Sequence, residues 1–262
     1  MINKNMYTHK IQKAVEFAIS VHQEPVKQVR KGKDVPYITH PLTVGLILSL
    51  AGASEDVVIA GILHDTIEDC EPYGSVTRET IAGMFGEAVA GLVDSVTEKD
   101  KSLTWHQRKE KALVEIAAFS NDSLLVKSGD IISNNTELIS DYDRDGEKTF
   151  ERFNAPKEET IPHTLQAIGL ILTQWKENPL VEDLKTIAGK LQMMLGAHFM
   201  MTYPAKKMEY EDYSEDMPIE CPVCGWEGTP KSSGWIETHD VLLDVSCPNC
   251  EKMLLIVNYP LA

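Results

Sequence analysis

An apolar run that ends in a cluster of acidic residues is the feature that most constrains how this chain can fold. Residues 57–63 are all apolar or glycine, and His64-Asp65-Thr66-Ile67-Glu68-Asp69 follows them directly. A globular protein buries such a run, so its acidic end adjoins the core. On a helix predicted over 55–68, His64, Asp65, Glu68 and Asp69 would share one face, within roughly a 140° arc. Three carboxylates on one face favour a bound cation, and a solvated helix end is the alternative.

Two distant residues are candidates to share that cation. His40 precedes Pro41, which suits the first turn of a helix, so we expect His40 at the start of a helix over 41–51. Asp130 interrupts the mostly apolar stretch 124–132, and a buried carboxylate is costly without a partner. A cap or a salt bridge would satisfy this carboxylate, and so would a metal ion.

Convergence of these groups would create a hydrolytic metal site. Its donors would be two imidazoles and two carboxylates, which suit a divalent transition ion such as manganese, iron or zinc: His40, His64, Asp65 and Asp130. Glu68 and Asp69 would lie beside the ion, placed to orient or deprotonate an attacking water. Sites of this kind hydrolyse phosphoesters or pyrophosphates.

Four cysteines near the end of the chain predict a second, structural metal site. They form two C-x2-C pairs, Cys221-Pro-Val-Cys224 and Cys247-Pro-Asn-Cys250. Four thiolates suit a tetrahedral zinc ion with no open coordination position, so this metal should perform no chemistry. A segment this short also needs such a crosslink to fold. Paired disulfides are the alternative, and the absence of a secretion signal argues against them.

The distribution of apolar residues predicts a helical domain followed by a small β-rich module. Helical spacing favours helices over 8–23, 41–51, 55–68, 105–119, 160–176 and 180–201, shorter helices on either side of Gly86, and a buried helix after the capping cluster Asn121-Asp122-Ser123. We expect Ser54 and Thr77 to cap the helices that follow them. We therefore expect an all-α domain over 1–205, an acidic linker over 206–218, and a zinc ribbon with short strands over 219–262.

Charge and hydropathy narrow the choice of partners. The formal net charge is −15, which argues against a nucleic-acid partner and leaves a protein contact or intramolecular docking for the ribbon. No apolar segment approaches the roughly 20 residues that a membrane span needs, and the N-terminus lacks the apolar region of a signal peptide. We expect a cytoplasmic protein with no membrane association. The oligomeric state is not readable from these features.

Several motifs of the first half share one order along the chain. They are Arg30-Lys31-Gly32-Lys33, Pro36-Tyr37-Ile38-Thr39-His40-Pro41, Ile62-Leu63-His64-Asp65-Thr66-Ile67-Glu68-Asp69, Phe85-Gly86-Glu87-Ala88-Val89, and Val126-Lys127 followed by Asp130 and Asn134. Together they resemble the HD-domain hydrolases of RelA/SpoT type, and most closely the small single-function alarmone hydrolases. The resemblance covers about residues 8–140.

The resemblance implies a fold, a reaction and a set of residue roles. It implies an all-helical HD fold that hydrolyses guanosine 3′,5′-bis(diphosphate), or its pentaphosphate analogue, to pyrophosphate plus GDP or GTP with manganese. It assigns the metal ligands to His40, His64, Asp65 and Asp130, and water activation to Glu68 and Asp69. It assigns contacts with the substrate to Arg30, Lys31, Lys127 and Asn134.

The chain departs from the family pattern in ways that leave other readings open. Ile131 and Thr136 stand where the family often has basic residues, there is no synthetase domain, and the zinc ribbon is an addition. A second reading keeps the site and changes the substrate to another nucleotide, such as a 3′-phosphorylated nucleotide, NADPH or a signalling nucleotide. A third reading is a non-catalytic regulator that binds nucleotide.

Overall fold

The computed structural model divides the chain into two units. It describes residues 7–23, 27–69, 76–202, 205–234, 236–238, 242–250 and 252–258, without the side chains of residues 69 and 196–202. The first unit runs to residue 155 and includes residues 177–184, and the second contains residues 156–176 and 185–262. Among the described helices, none combines the length and apolar character that crossing a membrane requires.

The first unit is helical, as predicted. Its elements are α1 (His9–His22), α2 (Thr39–Leu50), α3 (Glu55–Leu63), α4 (Thr66–Asp69), α5 (Arg78–Phe85), α6 (Glu87–Val96), α7 (Trp105–Ile116), α8 (Asn121–Asp145) and a 3-10 helix (Gly146–Arg152). Hydroxyl side chains cap the starts of α1, α3, α5, α7 and α8 by accepting a bond from a backbone N–H of the first turn. Ser54 and Thr77 do so as expected, whereas α8 is capped by Ser120 and not by the cluster that follows it.

Helix α3 occupies the centre of this unit. All seven residues of the apolar run 57–63 are buried, and α3 packs against α1, α2, α6 and α8. Two glycines allow the close approach of α2 and α3. A Cβ atom on Gly45 would lie 2.5 Å from Ile62 Cγ1, and one on Gly61 would lie 2.3 Å from Leu48 Cδ1. This packing fixes the end of α3, where His64 begins the acidic cluster.

The helix predicted over 55–68 is interrupted, which corrects the expected geometry of the cluster. Helix α3 ends at Leu63, and α4 begins at Thr66. At this break, the Thr66 hydroxyl donates to the carbonyl of Leu63 at 2.7 Å, and His64 Nδ1 donates to the carbonyl of Gly61 at 2.8 Å. Side chains thus satisfy carbonyls that a continuous helix would pair with backbone N–H groups. The acidic residues therefore do not share a single helix face.

The second unit combines two helices with a small strand module. Its elements are α9 (Lys157–Gln174), the part of α10 (Val181–Thr202) from residue 185, β1 (Lys206–Glu209), a 3-10 helix (Tyr210–Asp212), β2 (Ile219–Glu220), β3 (Glu227–Gly228), α11 (Pro230–Ser233), β4 (Ile236–Thr238), β5 (Leu242–Ser246) and β6 (Met253–Asn258). The larger sheet has the order β1-β6-β5-β4, in which β1 is parallel to β6 and the other pairs are antiparallel. Strands β2 and β3 form a separate antiparallel pair.

Strand β1 and helix α9 both take part in the packing of the second unit. Residues 206–209, expected to begin a solvated linker, form β1 and pair with β6. Helix α9, expected to belong to the first domain, packs against the cysteine module. A Cβ atom on Gly169 would lie 2.3 Å from the Cys224 carbonyl oxygen, and Asn249 Nδ2 donates to the Gly169 carbonyl at 3.1 Å. The division into 1–205, 206–218 and 219–262 stays a prediction.

Candidate metal and substrate site

The four predicted ligands of the first metal site converge from three parts of the first unit. His40 lies in the first turn of α2, His64 and Asp65 lie at the break after α3, and Asp130 lies in the middle of α8. The two Nε2 atoms of His40 and His64 are 3.2 Å apart. Asp65 Oδ2 is 3.1 Å from His64 Nε2, and Asp130 Oδ1 is 3.3 Å from His40 Nε2. Both histidines are buried.

This donor set fits a divalent ion. Nitrogen and oxygen atoms that bind one ion at about 2.1 Å lie about 3.0 to 3.5 Å apart when they are neighbours in its coordination shell. The observed separations between imidazole nitrogens and carboxylate oxygens run from 3.1 Å to 3.8 Å. The ligand atoms of His40, His64 and Asp65 also lie within 4.8 Å of one another. These three side chains can therefore hold a single ion, and Asp130 Oδ1 lies 3.3 Å and 3.8 Å from the two imidazole Nε2 atoms.

The electrostatics of the cluster indicate that it needs positive charge at its centre. Burial alone would lower the pKa of His64, but the carboxylates of Asp65 and Asp130 raise it to about 9. Burial would likewise raise the pKa of Asp65, and the adjacent His64 imidazolium holds it well below its ordinary value. The proton on His64 thus supplies positive charge that a bound cation would otherwise supply. A divalent ion and this proton therefore compete for the imidazole nitrogen.

Side chains and backbone behind the ligands fix their orientation. His64 Nδ1 can only donate to the Gly61 carbonyl, which directs Nε2 towards the cluster. His40 Nδ1 lies 2.9 Å from the Ser133 hydroxyl, and the Tyr37 hydroxyl donates to Asp65 Oδ2 at 2.5 Å. Sequence reasoning did not assign a role to Tyr37 or Ser133. Tyr37 lies within one of the family motifs, whereas nothing in the sequence singles out Ser133.

Three of the four predicted substrate-binding residues line up beside Asp130. Lys127 Nζ donates to Asp130 Oδ2 at 2.8 Å, and Asn134 Nδ2 donates to Asp130 Oδ1 at 2.6 Å. Arg30 then reaches Asn134 Oδ1 at 2.7 Å and Glu137 Oε2 at 2.9 Å. Burial would raise the pKa of Asp130, but Lys127 and the two histidines hold it well below its ordinary value.

The fourth predicted substrate-binding residue, Lys31, contacts Asn154 and Phe153. Its Nζ donates to Asn154 Oδ1 at 2.9 Å and lies 5.9 Å from the centre of the Phe153 ring. The loop that carries Arg30 and Lys31 is anchored through Lys33, which forms ion pairs with Glu137 at 2.6 Å and Asp141 at 2.5 Å. This anchoring holds the loop against α8.

The predicted water-activating residues lie on α4. Glu68 Oε2 accepts a bond from the backbone N–H of Glu98 at 3.2 Å, and the Glu68 carbonyl accepts from Lys101. Asp69 ends α4, and its side chain lies outside the described part of the structure. The carboxylate of Glu98 is in turn paired with Arg108. The roles of Glu68 and Asp69 stay predictions.

The four cysteines of the second unit form a second cluster with metal-ligand spacing. Cys221 Sγ lies 3.5 Å from Cys250 Sγ, and Cys224 Sγ lies 3.5 Å from Cys247 Sγ. Sulfur atoms on one tetrahedral zinc ion are about 3.8 Å apart, so the spacing suits a shared metal and is far too long for disulfides. All four side chains are buried. The predicted helical fold followed by a small β-rich four-cysteine module is confirmed.

Comparison with known proteins identifies the family of the first unit. The HD domain family matches residues 14–121. A guanosine-3′,5′-bis(diphosphate) 3′-pyrophosphohydrolase of Aquifex aeolicus is 38% identical over 130 residues, which cover 49% of this chain and 18% of that protein. The guanosine-3′,5′-bis(diphosphate) 3′-pyrophosphohydrolase MESH1 of Xenopus tropicalis is 37% identical over 131 residues, covering 49% of this chain and 69% of that protein. The chain belongs to this family of HD-domain pyrophosphohydrolases.

The structure is also similar to that of a protein of Listeria monocytogenes EGD-e. Its crystal structure matches with a TM-score of 0.53 and 28% identity, covering 59% of this chain and 97% of that one. The predicted membership of the HD-domain pyrophosphohydrolase family is confirmed. The match to the Aquifex protein spans less than a fifth of that protein's length.

Two departures from the family pattern have clear positions in the structure. Ile131, where the family often has a basic residue, is buried, and Thr136 is exposed. The cation that contacts Asp130 is Lys127, one helical turn earlier on α8. This chain therefore positions a basic group beside Asp130 without one at residue 131.

Proposed function

We propose that this protein hydrolyses guanosine 3′,5′-bis(diphosphate)-type alarmones and releases pyrophosphate from the 3′ position. The observation that carries the proposal is the convergence of two histidines and two aspartates at one buried point in the first unit. Relatives that share this HD domain are named for this activity. In the reaction, water oxygen bonds to the phosphorus on the 3′ oxygen, that P–O bond breaks, and the 3′ oxygen takes a proton.

We assign metal binding to the four converging side chains, with manganese as the ion. A divalent ion held by His40, His64, Asp65 and Asp130 supplies Lewis acidity towards phosphate oxygens and water. A mixed set of imidazoles and carboxylates suits manganese, iron or zinc, and the resemblance to the alarmone hydrolases favours manganese. For Cys221, Cys224, Cys247 and Cys250 we propose zinc, because a buried all-sulfur tetrahedron is its usual structural site.

The remaining residues of the site have roles that follow from their charge and contacts. Glu68 is the proposed general base that receives a proton from water, since it follows the proposed ligands His64 and Asp65 closely in the chain and the Glu98 N–H holds its carboxylate. Asp69 is proposed to share this task. Lys127 faces the site with an ammonium group that can bind phosphate oxygens, and Arg30, Lys31 and Asn134 are proposed to bind the nucleoside.

A turnover assay with a panel of nucleotides tests the proposal. With manganese, the protein should release pyrophosphate from guanosine 3′,5′-bis(diphosphate), and the Asp65→Asn variant should abolish this release. Glu68→Gln should impair turnover more than manganese binding. Release of orthophosphate from NADPH or another 3′- or 2′-phosphorylated nucleotide, without pyrophosphate release from the alarmone, would instead support a different substrate. Nucleotide binding without any turnover would refute enzymatic activity.

The role of the cysteine module beyond its own unit stays a prediction. Part of its surface packs against α9, through Asn249 and the backbone at Gly169. For the rest of its surface, a contact with another protein stays the prediction, in line with the acidic net charge of the chain. The cytoplasmic location likewise stays a prediction.

A further inference from the structure

Tyr37 lies between the two functional halves of the site. Its hydroxyl donates to Asp65 Oδ2 at 2.5 Å, so it contacts a metal ligand directly. The guanidinium carbon of Arg30 lies 5.5 Å from the centre of its ring, within the range of a cation–π contact. One side chain thus touches both a residue proposed to hold the metal and a residue proposed to hold the nucleoside.

The backbone and the neighbouring rings restrict where the Tyr37 side chain can go. The Tyr37 N–H donates to the Gln28 carbonyl at 2.8 Å, and its carbonyl accepts from the His40 N–H at 2.9 Å. The ring of His22 packs against it with centroids 5.1 Å apart, and His22 is fully buried. The His40 ring meets it edge-on at 5.9 Å. Tyr37 is therefore a fixed element on which other groups can be oriented.

The hydroxyl and the ring of Tyr37 act on different groups. A carboxylate ligand can rotate about its side-chain bonds, and a hydrogen bond to one of its oxygens restricts that rotation before the ion arrives. The ring face restricts Arg30, whose other contacts are Asn134 and Glu137 on α8. Substitution can separate these two contributions, because phenylalanine removes only the hydroxyl.

We propose that Tyr37 is a positioning residue that couples the two halves of the site: its hydroxyl orients Asp65 for the divalent ion, and its ring orients Arg30 for the nucleotide. The second half of this inference rests on the proposed function of Arg30. The first half needs only the metal site, and it can be measured without substrate.

The test compares manganese(II) binding by the full-length wild type, Tyr37→Phe and Tyr142→Phe proteins, read from the electron paramagnetic resonance signal of free manganese. Loss of a hydrogen bond to a metal ligand typically weakens metal affinity about 10- to 100-fold, and we expect this for Tyr37→Phe. Tyr142 is the matched control, because its hydroxyl also donates to a carboxylate, Glu147 at 2.9 Å, away from the metal ligands. Wild-type manganese affinity in Tyr37→Phe would overturn the role of the hydroxyl.

A second comparison tests the ring with GDP as the probe. Tyr37→Phe should bind GDP as the wild type does, while Tyr37→Leu should bind GDP several-fold more weakly. Equal GDP affinity in Tyr37→Leu and wild type would overturn the role of the ring. Because Tyr37→Phe keeps the packing against His22, it serves as the folded reference for Tyr37→Leu. Manganese affinity is measured without turnover, so a protein that failed to hydrolyse the alarmone would still give a decisive result for the hydroxyl.

Discussion

Raising the pH should destabilise the manganese-free protein through His64. Burial by itself would lower the pKa of His64, but Asp65 and Asp130 raise it from 6.5 to about 9. The folded protein therefore holds this proton more tightly than the unfolded chain does. The stabilisation is complete below pH 6.5 and is lost as the pH rises through 9. Since one unit of pKa corresponds to about 1.4 kcal/mol, the full effect is about 3 kcal/mol.

Asp65→Asn provides the matched variant for this prediction. Asp65 is the group that raises the pKa of His64 most, and its Oδ2 lies 3.1 Å from His64 Nε2. Asparagine preserves the shape of the side chain and removes the charge. The pKa of His64 should therefore fall, and the loss of stability between pH 6.5 and 9 should shrink or disappear.

Two measurements check the prediction. Nuclear magnetic resonance titration of the histidine ring protons gives the pKa of His64, and urea unfolding at several pH values gives the free energy of unfolding. Manganese is removed by dialysis under conditions that retain zinc in the four-cysteine site, whose affinity for zinc should be far higher. A His64 midpoint near 6.5 in the wild type, or stability that does not change up to pH 9, would refute the reasoning.

The same proton makes metal binding depend on pH. Because manganese and the His64 proton compete, each ion bound below the pKa should release about one proton. The apparent manganese affinity should rise about tenfold per pH unit until the pH approaches the pKa. Isothermal titration calorimetry in buffers of different ionisation enthalpy measures the released proton. Proton-free binding at neutral pH would contradict the pKa shift.

Three further predictions concern packing, the second metal site and a buried ion pair. Gly45→Ala should cost about 1 to 3 kcal/mol of unfolding free energy because its Cβ would overlap α3, whereas Gly83→Ala, which meets nothing within 4 Å, should be neutral or stabilising. Cys224→Ser should abolish stoichiometric zinc in metal analysis and reduce the strand signal in circular dichroism. Asp141→Asn should cost about 2 to 3 kcal/mol in urea unfolding, because it removes the charge of a buried carboxylate that pairs with Lys33 and Arg152. Asp145→Asn, whose carboxylate pairs with the exposed Arg144, should leave the free energy of unfolding nearly unchanged.

Local sequence patterns predicted the structural features that residues close together in the chain determine. Helix starts at Ser54 and Thr77 follow from hydroxyl side chains that reach backbone N–H groups two or three residues ahead. The paired cysteines predicted their cluster, because each C-x2-C turn presents two thiolates on one side. These interactions need only a short stretch of chain, so the order of residues is sufficient to recognise them.

The proposed metal ligands lie far apart in the sequence and close together in the structure. His40, His64, Asp65 and Asp130 were predicted from an acidic cluster, a proline and an intruding carboxylate, and the structure brings them together. The expected single helix face was wrong, because Thr66 and His64 bond to carbonyls of the last turn of α3. Side chains compete with backbone N–H groups for the carbonyls at the end of α3. The periodicity of apolar residues does not indicate this competition.

The sequence by itself thus determined the chemistry of the two clusters and the helical character of the first unit. Only the tertiary structure decided which groups support the ligands. Ser133 reaches His40 across 93 positions of sequence, and Tyr37 reaches Asp65 across 28. Tertiary packing also joined β1 to β6 and α9 to the cysteine module. The contacts of Ser133 and Tyr37 depend on how α2, α3 and α8 approach one another, and close-packed glycines and buried side chains together determine that approach.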